Sequence, residues 1–90
     1  MFKIIDERDS GKTRKLLTEC AANNGLYVCK HPYRVADKCF AYGLPKVEAI
    51  GYDEYEKILT TKRPVYIDEL ECFIVKVFPQ IKGYCMSKED

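Results

Sequence analysis

The residues best placed to do chemistry are a Gly-Lys-Thr string near the amino end and a pair of adjacent carboxylates further along the chain. Ser10-Gly11-Lys12-Thr13 stands between an apolar stretch, Phe2 to Asp6, and a segment with helical periodicity. In that setting glycine lets the backbone curl so that successive N–H groups converge on an anion, and the start of a helix adds partial positive charge. Lys12 would reach β- and γ-phosphate oxygens, and the Thr13 hydroxyl would ligate magnesium. Without a ligand, the same string reads as a helix start capped by Ser10 or Asp9 and followed by a solvated basic turn. The second feature is Val65 to Glu69, three apolar residues followed by Asp68 and Glu69 at the carboxyl end of a predicted strand. In a parallel sheet that edge is where ligands bind. Asp68 would hold magnesium through water and Glu69 would polarise an attacking water as general base. The alternative is that one of the two caps the helix that follows. Ser87, closing a last apolar segment, is a candidate γ-phosphate sensor or else a surface serine.

Short elements must position these groups. Phe2 to Asp6 reads as a strand running into the turn cluster Asp9-Ser10-Gly11. From Lys12 the pattern is helical, with Leu16, Leu17, Cys20 and Ala21 on one face and Asn23-Asn24-Gly25 as the stop. Leu26 to Lys30 is a second strand, ended by His31-Pro32. Arg34 to Tyr42 is a second helix, with Val35, Ala36, Cys39 and Phe40 sharing a face and Gly43 as its cap. Val47 to Tyr52 is a weaker strand, and Asp53 is an N-cap for a helix over Glu54 to Thr60. Val65 to Asp68 is a strand, followed by a helix marked by Leu70, Phe73, Ile74 and Val77. Ile81 to Ser87 is the last strand. Strands alternating with amphipathic helices predict a single α/β domain over residues 1–90, with a mostly parallel sheet of about five strands and helices on both faces. In a chain this short one sheet face is thinly covered, which self-association would relieve.

Composition limits the functions available. The chain has 90 residues, 47% of them hydrophobic and 32% charged, so it reads as globular rather than disordered. Fifteen basic against fourteen acidic side chains leave +1, so no global field draws it to nucleic acid or membrane. No apolar run has the length of a membrane helix, and the first residues lack a signal-peptide core; the expectation is a cytoplasmic protein. The five cysteines lie nine or more residues apart without a CxxC, which gives no zinc signature and predicts reduced, mostly buried thiols. A nucleophile pairing Cys29 or Cys39 with His31, the sole histidine, has no motif to supply an orienting third group. The seven tyrosines are scattered along the chain. Lys30, His31, Tyr33, Arg34 and Lys38 form its best basic and aromatic cluster, interrupted by Asp37, and this is the candidate nucleic-acid contact.

The arrangement resembles the P-loop nucleoside triphosphatases, particularly the additional-strand group that includes helicase and AAA-type motors. Asp6 to Thr13 (DERDSGKT) looks like Walker A, Val65 to Glu69 (VYIDE) looks like Walker B with its adjacent catalytic glutamate, and Ile81 to Ser87 looks like the sensor strand. The closest likeness is to very small P-loop proteins of phages and prophages. The resemblance implies binding of a nucleoside triphosphate, ATP rather than GTP, with magnesium: Ser10, Gly11, Lys12, Thr13 and Ser87 at the nucleotide, Thr13 and Asp68 at the metal, and Lys12 and Glu69 in catalysis. It also implies that the last strand lies between the first and the Walker B strand. The departure is Asp6, which stands where Walker A opens with glycine. Its charge, with Glu7 and Asp9, opposes a polyanion unless Arg8, Lys12, Arg14 and Lys15 compensate. Arg34 and Arg63 are the only candidate arginine fingers, so hydrolysis is expected to be weak or to need a homo-oligomer or partner. The competing expectation is a non-catalytic interaction or scaffold protein with a degenerate P-loop that serves a partner through an exposed face, and a third is a nucleic-acid accessory factor.

Overall fold

The computed structural model of the chain describes residues 11–83 and residue 85. Helix α1 (Lys12–Ala22) leads into strand β1 (Leu26–Cys29). A 3₁₀ turn (Pro32–Arg34) and helix α2 (Val35–Tyr42) lead to β2 (Glu48–Gly51), and helix α3 (Tyr52–Glu56), β3 (Val65–Ile67) and helix α4 (Leu70–Val77) follow. The three strands form a parallel sheet in the order β2-β1-β3. The α/β class with parallel pairing is therefore as predicted, whereas three strands stand among the described residues in place of about five. Phe2 to Asp6 lies outside those residues. Of the predicted strand Ile81 to Ser87, residues 81–83 and 85 belong to no strand. Between Pro79 and Gly83 only Ile81 is apolar, and both flanking residues disfavour a continuous ladder.

β1 is central, and all four of its residues are buried. Its alternation divides the core. Tyr27 and Cys29 pack with Leu17 and Cys20 of α1 and Val35 and Cys39 of α2. Val28 packs on the other face with Tyr52 of α3 and Phe73 of α4. The neighbouring strands obey the same parity, since Ala49 and Tyr66 join the first cluster while Ile50, Val65 and Ile67 join the second. Helices therefore cover both faces of the sheet, as predicted.

Several local expectations are corrected. The helix predicted over Glu54 to Thr60 starts earlier, at Tyr52, because the Gly51 N–H donates to Glu54 Oε1 at 3.2 Å, and it ends at Glu56. Asp53 is inside it, not its cap. Phe40 and Ala36 lie on the exposed side of α2, where a helix this short buries only Val35 and Cys39. Cys20, Cys29 and Cys39 are buried free thiols, but Cys72 and Cys85 are exposed. The stop after α1 is a left-handed Asn24 (φ 52°), with Gly25 N–H donating back to the Cys20 carbonyl at 2.9 Å. Glycine is required at 25 for a different reason. A Cβ there would stand 2.6 Å from the Tyr66 ring and 3.1 Å from the Pro64 carbonyl oxygen.

Candidate functional site

α1 runs antiparallel to the strands, so its first turn lies at their carboxyl edge. Gly11, at φ 80°, ψ 20°, is its N-cap, a left-handed conformation that glycine adopts without penalty. No side chain caps the helix among the described residues, and the predicted capping groups, Asp9 and Ser10, lie outside them. The first-turn N–H groups of a helix carry partial positive charge. Lys12 and Thr13 sit half-buried in that turn.

Asp68 and Glu69 leave β3 at the same edge. The Asp68 N–H donates to the Val28 carbonyl at 2.9 Å, which carries the pairing with β1 one residue past the strand. By parity with Tyr66, Asp68 belongs to the face covered by α1. Glu69 then takes a left-handed conformation (φ 56°, ψ 66°) as N-cap of α4. A glutamate held there stores strain on the order of 1 kcal/mol and persists only where its surroundings over-determine it. They do so here. The buried Tyr52 donates its hydroxyl to the Asp68 carbonyl at 2.8 Å and to the Glu69 carbonyl at 3.3 Å. Lys12 Nζ approaches Glu69 Oε1 at 3.5 Å. The predicted helix-capping alternative thus holds for Glu69 by backbone position only, since its carboxylate makes no capping bond and turns toward Lys12.

The fold brings these groups together at a particular point. From β1 the chain turns onto the α1–α2 face, and from β3 it turns onto the α3–α4 face, so the two connections diverge from adjacent strands. Such a divergence opens a crevice at the carboxyl edge of a parallel sheet. Lys12 and Glu69 meet at this edge, with Asp68 next to Glu69 in the chain. Burial first, then nearby anionic groups including Asp68, push the hydroxyls of both Tyr27 and Tyr52 far above the usual tyrosine range, so both remain O–H donors. On the α3–α4 side a cleft of about 900 Å³ opens between Lys30, Tyr52, Glu54, Glu71, Cys72 and Lys76, with charges of both signs on its rim.

The remaining candidates fall elsewhere. Arg63 is at the opposite, amino edge of the sheet, where its guanidinium donates to Glu48 at 2.7 Å and to the Gly25 carbonyl at 3.1 Å. It is a clamp on the strand starts, remote from Lys12 of its own chain. Arg34 follows β1 and stacks over the Tyr33 ring at 5.8 Å. Ser10 and Ser87 lie outside the described residues. The His31 ring lies against Tyr33, its Nδ1 3.3 Å from the Tyr33 hydroxyl, and burial raises the Cys29 thiol. No group of three metal-ligating side chains occurs among the described residues. The oxygen donors of Thr13 and Asp68 still suit a hard cation that keeps most of its waters, the usual habit of magnesium. Sequence reasoning missed Tyr52 and Tyr27, which looked like core-edge aromatics because nothing in their spacing refers to Asp68.

Comparison with known proteins adds no relative: no family model, curated protein or solved structure matches the chain.

Proposed function

We propose that this domain binds a nucleoside triphosphate, ATP by resemblance, together with magnesium. The observation that carries the reading is the meeting of Lys12, in the first turn of α1, with Glu69, at the diverging carboxyl edge of the parallel strands. Lys12 of the GKT string and Glu69 of the DE pair, far apart in sequence, form an ion pair, which a chance match of either motif does not require. In this reading the α1 N–H groups and Lys12 take the phosphates, and Thr13 and Asp68 hold the hydrated cation. Glu69 lies within reach to take a proton from an attacking water. Magnesium, when bound, would offset phosphate charge. Lys12 must first leave Glu69, a half-exposed pair worth under about 1 kcal/mol. With Arg63 committed to the far edge, charge neutralisation at the γ-phosphate falls short, and turnover depends on a homo-oligomer or partner that lends a cation. Calorimetric titration with magnesium-ATP tests the reading. Binding at millimolar nucleotide or tighter is expected for the wild type and none for Lys12→Ala; a wild type that binds nothing refutes it.

A second reading, a non-catalytic domain that contacts single-stranded nucleic acid, is favoured by a separate observation. Tyr33 is 72% exposed, with its ring held edge-on by His31 and covered on one side by Arg34, and Phe40, two helical turns on, is 88% exposed. Exposed rings beside Lys30, Arg34 and Lys38 are the combination that stacks bases and tracks a phosphate backbone. It predicts salt-dependent binding of an oligonucleotide that weakens on neutralising Lys30 and Arg34; salt-independent or absent binding excludes it.

A further inference from the structure

The Tyr27 hydroxyl has no evident purpose in packing. Tyr27 occupies the central strand at 1% exposure, within the cluster formed by α1 and α2, and its hydroxyl oxygen meets no hydrogen-bond partner among the described residues. A buried hydroxyl left unpaired is destabilising, and phenylalanine would fill the same space without it. The register says what the group is near. Tyr27 pairs with Tyr66, and Asp68 follows two residues later on the same face, roughly 6.6 Å along the strand direction, a rise that the length of a tyrosine side chain can span. The Asp68 N–H bond to Val28 holds that extended geometry through residue 68. The phenol therefore lies within interaction range of the Asp68 carboxylate, although its oxygen meets no partner at ordinary hydrogen-bond distance among the described residues.

We propose that Tyr27 is a positioning residue for Asp68, its O–H engaging one carboxylate oxygen and so presenting the other to the hydrated cation. The inference rests on the magnesium-nucleotide reading above. Carboxylates that ligate a cation are commonly held by such a second hydrogen bond, and loss of the outer partner typically weakens metal binding about tenfold or more. The hydroxyl is retained at the expense of the ligand-free state, so stability and metal response should move in opposite directions when it is removed.

The test is Tyr27→Phe in the full chain, read by thermal melting without ligand and by ATP titration across a magnesium series, with an EDTA control. The ligand-free variant is expected to melt at or above the wild-type temperature. The magnesium concentration for half-maximal nucleotide binding should rise about tenfold, while nucleotide binding in EDTA is unchanged. Asp68→Asn should show the same loss, and Tyr27→Phe should add little to it. An unchanged magnesium dependence in Tyr27→Phe overturns the proposal while leaving the nucleotide reading intact. So does a variant that melts lower and binds less well with and without magnesium, which would mark a packing role. A wild type that binds no nucleotide overturns both.

Discussion

Arg63→Ala separates a structural clamp from a catalytic arginine. In the structure the guanidinium ties together the starts of all three strands: it bonds Glu48 at the head of β2 and the Gly25 carbonyl just before β1, while Pro64 joins it directly to β3. The Glu48 pair is exposed enough to be worth only about 0.2–1 kcal/mol. The bond to the partly buried Gly25 carbonyl is charge-assisted, and its loss leaves an acceptor short of a donor, about 1.5–3 kcal/mol. Together these come to about 2 kcal/mol at the conservative end. For a chain of this size that lowers the melting temperature by roughly 8–16 °C. Arg63→Lys keeps the charge without the fork and should recover less than half of the loss. Far-UV circular dichroism melts give the stability, and magnesium-ATP titration below the melting range gives the affinity, expected to be unchanged because the clamp lies at the edge remote from Lys12. A melting temperature within about 2 °C of wild type would refute the energetic argument. Loss of hydrolysis in a fully stable Arg63→Ala protein would restore the arginine-finger role.

Two further outcomes are expected. Phosphate release measured over a protein-concentration series should be negligible for dilute protein and rise only with self-association or a partner, and Glu69→Gln should abolish it while tightening ATP binding a few-fold, because Lys12 no longer has a carboxylate competitor. Concentration-independent turnover, or activity untouched by Glu69→Gln, would contradict this. Alkaline pH should destabilise the fold: burial pushes the Cys20 thiol from its ordinary 9.0 up to about 11, so the folded state holds its proton where the unfolded state has lost it. Stability should be flat below about pH 8.5 with respect to this group and decline from about 9 toward 11, reinforced by the raised Cys29, Tyr27 and Tyr52. Urea melts across that range decide it, and a stability that held to pH 11 would refute the linkage.

The α/β class was legible in the sequence because it depends on local alternation. Leu26 to Lys30 and Val65 to Asp68 are short apolar runs bounded by turn residues, and Leu70, Phe73, Ile74 and Val77 repeat at helical spacing, so each segment declares its own period. The same local chemistry singled out Gly11 to Thr13 and Asp68-Glu69. Phe40 shows the limit of that reading, since periodicity assigns a residue to a helix face but only the packing of α2 decides which face is covered. Arg63 shows it again: a sequence contains no information on which sheet edge a loop arginine occupies, and the parallel crossovers put it at the strand starts. The juxtaposition of Lys12 with Glu69, 57 positions apart, and the placement of Tyr52 and Tyr27 around Asp68 come from strand order and register. Those are properties of the sheet as a whole, set by which buried faces must meet. A pattern of residue types along one strand says that it will pair, and the tertiary structure alone decides with what.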